Sequence, residues 1–240
     1  MLSGLPVSSA QAVDQLLDQF LGGSVRQKRS LLPAVAKRRQ EWRPLLLQRL
    51  DSCDSSGDDW GAGTLIQLLL EQEDSVSEAF LHRYPGGWLA APSGQGMDHA
   101  PLQLHLMRQE FEAADRLTSE VLRHLAGPGA VRRGYVYYSE VADIDGTDLV
   151  SLDRLWVAYS RGRFGFTVQT RLLRAQGGRW ERLWPRLGWK QEGVWTRYPS
   201  SFTWSMEAPE GHMPLINQLR GVRLMDALLN HPALAERSQG

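Results

Sequence analysis

The residues best suited to chemistry near neutral pH are histidines, and here they are scattered. His82, His99, His105, His124, His212 and His231 never stand three or four positions apart, the spacing a helical metal site normally needs. Surface or capping roles are expected of them. Cys53 is the sole cysteine, which excludes an intramolecular disulfide and a cysteine-based metal cage. Asp143, Asp145, Asp148 and Asp153 gather around the start of one apolar segment, but their Asp-x-Asp-Gly fragment lacks the downstream Glu of a calcium loop. Carboxylates at an exposed helix start gain about 0.3–1 kcal/mol each from its partial positive charge, so a solvated capping role is expected for them. There is no glycine-rich phosphate loop, no Gly-x-Ser-x-Gly elbow and no His-Glu-x-x-His. No nucleophile, base and orienting group assemble into a set, and the chain is expected to bind rather than catalyse.

The informative chemistry runs from Ser160 to Ser200. Nine basic residues stand there against two acids, a local formal charge of +7, in a chain whose 27 basic and 27 acidic residues cancel overall. Six of the nine tryptophans, at Trp156, Trp180, Trp184, Trp189, Trp195 and Trp204, lie in or beside it with Phe164, Phe166, Tyr198 and Phe202. Trp156, Trp180 and Trp184 have helical spacing and are expected in the core. Three readings fit the remainder. One is a small aromatic core with solvated basic faces. Another is a single-stranded nucleic-acid surface, whose aromatics stack bases while its cations hold phosphates. The third is a cleft for a flat, conjugated, carboxylate-bearing ligand, stacked on aromatics and anchored by arginines. The cleft would take Trp195, Tyr198, Phe202 and Trp204, with Asn217 and Arg220 three positions apart on one helical face. Composition alone does not separate the last two.

Several elements must position these groups. At 240 residues, 42% hydrophobic and 22% charged, the chain is an ordinary globular protein with room for one large domain or two small ones. No apolar run approaches the roughly 20 residues that cross a bilayer. The segment Met1 to Pro6 lacks a basic region followed by an apolar core, so no secretory signal or organelle leader is expected.

Residues 1–83 read as a small helical bundle. Capping-box spacing occurs at Ser8/Gln11 and Ser24/Gln27, apolar stripes fill the intervening stretches, one helix covers Trp42 to Leu50, and another covers Thr64 to Arg83. Residues 84–100 are dense in Gly and Pro and form a linker. Residues 101–234 form a second, mostly helical core, and 235–240 a tail. Within that core Thr147 is expected to cap a helix, Tyr135–Tyr138 has strand-like composition, and Pro214 opens the last helix. Trp195–Tyr198 and Phe202–Met206 alternate like a short hairpin.

The run from Asp153 to Gln169, Asp-Arg-Leu-Trp-Val-Ala-Tyr-Ser-Arg-Gly-Arg-Phe-Gly-Phe-Thr-Val-Gln, resembles the core signature of the genomes-uncoupled-4 family. Gly188-Trp189, Ala208-Pro209-Glu210-Gly211-His212-Met213-Pro214 and Asn217-Gln218-Leu219-Arg220-Gly221 follow in the family's order. Phe111-Glu112-Ala113-Ala114-Asp115 with Thr118 is similar to its opening helix pair, although Phe111 stands where Trp is usual and Met213 where Leu is common. The N-terminal bundle resembles the extra helical domain of cyanobacterial members.

The resemblance implies an all-α core shaped like a cupped hand that binds protoporphyrin IX and magnesium-protoporphyrin IX. It further implies a non-enzymatic accessory protein that stimulates magnesium chelatase at the start of chlorophyll synthesis, chiefly through its large porphyrin-binding subunit. A monomer is expected, cytoplasmic or peripheral at thylakoid membranes (plastid stroma in a eukaryote), with no nucleic-acid partner. The macrocycle would lie on Trp195, Tyr198, Phe202, Trp204, Met213 and Leu215, its propionates held by Asn217, Arg220 and Arg223. His212 could serve as an axial magnesium ligand, but in a turn leading to a helix a structural hydrogen bond is expected of it.

Overall fold

The computed structural model describes residues 9–215 and 222–238. Among them the chain forms 14 helices and a single two-stranded hairpin, so the mostly helical class is as expected. Helix α1 (Ser9–Gly22) turns Val13, Leu17 and Phe20 into the core. Helix α2 (Val25–Lys37) opens on the expected capping box: the Gln27 N–H donates to the Ser24 hydroxyl while the Gln27 side chain accepts the Ser24 N–H. The cap expected at Ser8 lies outside the described residues.

The helix expected over Trp42–Leu50 is broken. Helix α3 (Arg39–Trp42) passes through a 3-10 turn (Arg43–Leu45) into α4 (Leu46–Leu50). Pro44 has no N–H to give an α-helical turn and fits the start of a tighter one. The stretch expected as one helix from Thr64 to Arg83 is likewise two, α5 (Trp60–Leu70) and α6 (Ser75–Arg83). Asp74 separates them by accepting the Val76 and Ser77 N–H groups, which starts a fresh helix.

Helix α5 is buried from Trp60 to Leu69 and packs directly on the second half of the chain. That half comprises α7 (Ala100–Met107), α8 (Phe111–Leu125), α9 (Pro128–Arg133), a 3-10 segment (Tyr138–Asp143), α10 (Gly146–Ala158), α11 (Phe166–Ala175) and α12 (Trp180–Arg186). The antiparallel strands β1 (Lys190–Gln191) and β2 (Val194–Trp195) follow, then α13 (Val222–Leu229) and α14 (Pro232–Arg237).

Polar bonds stitch the two halves where α5 meets α10. The Gln67 amide donates to the Leu106 and Tyr159 carbonyls, and Arg154 donates to those of Ser55, Gly57 and Ala90. Residues 84–100 are packed rather than loose. Trp88 and Leu89 are buried, and the Gln103 amide takes the Leu89 N–H while donating to the Leu89 and Gly86 carbonyls.

Four expectations are corrected. Asp145, not Thr147, caps α10 by accepting the Thr147 N–H. Asp148 and Asp153 are fully buried instead of solvated, because donors from distant segments satisfy them. Pro214 and Leu215 are not themselves helical, and the Leu215 N–H is held by Asp115. The 235–240 tail does not begin at Ala235, because α14 continues to Arg237, whose guanidinium pairs with Asp153 and Asp58.

Gly63 lies where α5 crosses α10, and a Cβ there would stand 2.3 Å from the Ala158 carbonyl oxygen. Backbone cannot yield as a flexible side chain can. Gly63→Ala is therefore expected to destabilise the protein by about 1–3 kcal/mol, lowering the melting temperature by roughly 2–4 °C per kcal/mol for a chain of this size. Thermal unfolding followed by circular dichroism checks this; an unchanged midpoint would refute so close a crossing.

Candidate functional site

Helix α8 divides its residues by period. Phe111, Ala114, Thr118, Val121 and Leu125 face the core, while Arg116, Ser119, Leu122 and Arg123 lie along a neighbouring face and open onto a cavity of about 640 Å³. Such a volume falls among those of cofactor and small-molecule sites. The opposite wall starts at Gly134, whose left-handed conformation (φ 79°) turns α9 into extended chain. Tyr135, Val136, Val141 and Ile144 line the cavity from there. This wall is held in shape by Arg133, which pairs with Glu140 and lies over the rings of Tyr135 and Tyr137. Leu224 and Leu228 of α13 close a third side.

The hairpin supplies the fourth. Lys190 pairs with Trp195 and Gln191 with Val194, and the Thr196 N–H and hydroxyl bond the Trp189 and Gly188 carbonyls. Trp195, Thr196, Arg197 and Tyr198 thereby face the cavity. Behind Trp195 stands a rigid aromatic support. Trp184 stacks on Trp180 at 5.3 Å and on Trp189 at 5.8 Å, and meets Trp195 at 5.6 Å.

Electrostatically the lining is one-sided. Arg116, Arg123 and Arg197 contribute charge, and among the described residues no acid lines the cavity. Arg116 shares Glu112 one turn back, whereas Arg123 and Arg197 have no carboxylate partner among the described residues. Arg116 and Arg123 are seven residues apart, about 10 Å along the helix. Ile, Leu, Val, Tyr and Trp side chains make up most of the rest. A flat apolar molecule with more than one anionic group matches this arrangement.

Asp115 ties two of these walls. Its carboxyl is 1% exposed and accepts the Leu215 N–H at 2.6 Å and the Tyr198 hydroxyl at 3.1 Å. Burial outweighs those bonds and pushes the acid up to about 7; burial also raises the Tyr198 phenol.

Of the residues expected from sequence, Trp195, Tyr198 and Leu215 line this cavity together. Phe202, Met213, Trp204 and Arg223 do not. Phe202 is buried between Trp204, at 5.5 Å, and the His212 ring, at 4.7 Å. Met213 is fully buried, with its carbonyl accepting the Gly165 N–H. Trp204 borders a separate shallow depression with residues 109–113 and Arg116, and Arg223 lies over the Tyr138 ring. Asn217 and Arg220 lie outside the described residues. The α8 face and the 134–144 wall were missed by sequence reasoning. The one signal for the former was the spacing of Arg116, Ser119 and Arg123, which reads equally well as a solvated stripe.

His212 is a packing residue. Its Nδ1–H donates to the Leu187 carbonyl at 2.6 Å and its Nε2 faces the Thr203 N–H, while burial lowers its basicity. Both ring nitrogens are thus occupied. Among the described residues no group of three His, Cys, Asp or Glu side chains is placed to hold a metal ion, and no helix is long and apolar enough to cross a membrane.

Known proteins share this sequence and fold. A Ycf53-like protein of the cyanobacterium Synechocystis is 39% identical over 225 residues, covering 92% of this chain and 96% of the relative. That match takes in the N-terminal helices. A chloroplastic tetrapyrrole-binding protein of Arabidopsis thaliana is 37% identical over 143 residues, covering 56% of this chain and 54% of its own. The solved structure of GUN4 from Chlamydomonas reinhardtii superposes with a TM-score of 0.58 at 38% identity, covering 61% of this chain and 94% of that one. The model of the GUN4-like family matches residues 92–232, the same stretch that carries the cavity and the ordered motifs, and this chain belongs to that family, in its cyanobacterial form with N-terminal helices.

Proposed function

We propose that the cavity between α8, the 134–144 wall, the hairpin and α13 binds a porphyrin, protoporphyrin IX or its magnesium complex, and that the protein serves magnesium chelatase as a non-catalytic accessory. The observation that carries this reading is the lining itself: a broad apolar surface bordered by three guanidiniums, with no acid among its described residues. A dicarboxylic macrocycle presents the complementary face. Tetrapyrrole binding is also what the name of the Arabidopsis relative states of that protein.

The geometry divides the labour. Apolar burial against Leu122, Val136, Ile144, Trp195, Leu215 and Leu228 provides most of the affinity, at about 25 cal/mol per Å² removed from water. Arg116, Arg123 and Arg197 orient the ring, since each exposed ion pair contributes at most about 1 kcal/mol. Asn217 and Arg220 are the further propionate partners expected from the sequence on this reading. The nucleic-acid alternative draws support from exposed Arg171, Arg174, Arg179, Arg182, Arg186 and Arg197. It needs stacking rings on the surface, yet Trp156, Trp184 and Trp189 are buried, and the half-buried Trp195 and Tyr198 face the cavity.

Titrating the full chain with deuteroporphyrin IX should quench its tryptophan fluorescence at micromolar ligand, Trp195 lying in the wall. Arg123→Ala and Arg197→Ala should each weaken binding by up to about fivefold, the factor for 1 kcal/mol, without lowering the melting temperature. Unchanged affinity in both would place the anionic groups elsewhere. The chelatase role has its own test. In a reconstituted magnesium chelatase reaction at limiting porphyrin, added protein should raise the rate of magnesium-porphyrin formation. An unaltered rate would refute the accessory role while leaving ligand binding intact.

A further inference from the structure

Asp115 does not line the cavity, yet it is bonded to two residues that do. Its oxygens take the Leu215 N–H and the Tyr198 hydroxyl, and its neighbour Arg116 is a lining residue. One buried carboxyl thus joins α8, the hairpin side and the chain entering residue 215. Few charged or titratable groups act on it: Glu112 and Arg116 from its own helix, and Tyr198 from the hairpin side. The segment before residue 215 offers only the Leu215 N–H. With its midpoint raised to about 7 by burial, the acid is divided between its two forms near neutral pH.

We propose that Asp115 is a positioning residue that links occupancy of the cavity to uptake of one proton, so that an anionic ligand is held by the protonated form and released as the carboxyl ionises. The inference rests on the anionic-ligand reading of the cavity. Two effects act with the same sign. Ligand carboxylates bring negative charge against a wall of low dielectric, which disfavours a second buried anion behind it. They also engage Arg116, whose charge helps to sustain ionised Asp115 in the empty site.

Protonation does not dismantle the wall. The carbonyl oxygen of the acid still accepts the Leu215 N–H, and its O–H donates to the Tyr198 oxygen, reversing that bond. The proton comes from solvent and returns to it on release. Because the wall persists in both forms, affinity changes through charge and not through collapse of the site.

The test uses the full chain, deuteroporphyrin IX and fluorescence quenching between about pH 6 and about pH 8, bracketing the midpoint. Wild-type affinity is expected to fall as pH rises, tenfold for each unit by which the ligand raises the Asp115 midpoint. Asp115→Asn mimics the protonated acid, accepting from Leu215 and donating to Tyr198, and should lose this dependence and keep the tighter affinity. Tyr198→Phe retains the acid but removes a donor that favours its ionised form, and should keep the slope displaced to higher pH. Equal slopes in wild type and Asp115→Asn overturn the coupling and leave the cavity reading standing. Absence of binding at every pH overturns the cavity reading and the coupling with it. Should Asp115→Asn fail to fold by circular dichroism, calorimetry of the wild type decides: binding heats near pH 7 that differ between buffers of unlike ionisation enthalpy support proton uptake, and equal heats overturn it.

Discussion

A carboxylate withdrawn from water must be met by donors, or it costs several kcal/mol. Three acids in the second half of the chain are buried to this degree, and the course of the irregular segments follows from satisfying them. Asp153 accepts the Thr167 N–H and hydroxyl and the Arg237 Nε–H, which binds the start of α11 and the end of α14 to α10. Asp148 accepts the Gly94 and Gln95 N–H groups and faces the buried His99 ring, which fastens the Gly- and Pro-rich 84–100 stretch to the same helix. Asp115 does the corresponding work for the cavity walls. A GUN4-like core with little sheet has no ladder to hold its long connections, and these side chains replace one.

The aromatic residues serve two mechanical purposes. Trp156 is fully buried, bonded through its indole N–H to Thr118 and stacked on Phe111, so it sets the contact of α8 with α10. The Trp180, Trp184 and Trp189 stack instead backs Trp195. A two-residue strand could not hold a bulky ring in one orientation by backbone pairing alone. Stacked indoles with offset geometry can, each pair contributing about 0.5–1.5 kcal/mol beyond its buried area. The density of tryptophan in a basic stretch is therefore mainly support for a small number of wall residues.

This division explains what was legible in the sequence. Helices with regular apolar spacing, such as α1 and α8, were readable because their period is local. The breaks at Pro44 and Asp74 were not weighed against the apolar runs that continue through them, although each has a local cause. Asp148 and Asp153 read as caps because capping is a rule about the next few residues, whereas their donors lie 14 to 84 positions away. For the cavity, Trp195, Tyr198 and Leu215 stood out as bulky side chains in an irregular stretch. Arg116, Arg123 and the 134–144 wall did not, since their significance depends on a hairpin and a helix about 50 to 110 residues downstream being folded against them.

The placement of charge around the cavity has a further logic. A carboxylate in the lining would oppose an anionic ligand directly, and one far from it would feel nothing. Asp115 lies between these extremes, one residue from Arg116 on a helix whose neighbouring face is the lining. There it can bind Leu215 and Tyr198 in either protonation state while remaining, on the proposed reading, within reach of the field of a bound anion. The arginines have the opposite arrangement, on partly wet lining where each ion pair to the proposed ligand would be weak and several would be needed to orient a flat ring. Tight apolar contact and loose ionic contact on one surface suit a molecule that must be held in register and then given up, because the ionic component can be altered without repacking the core.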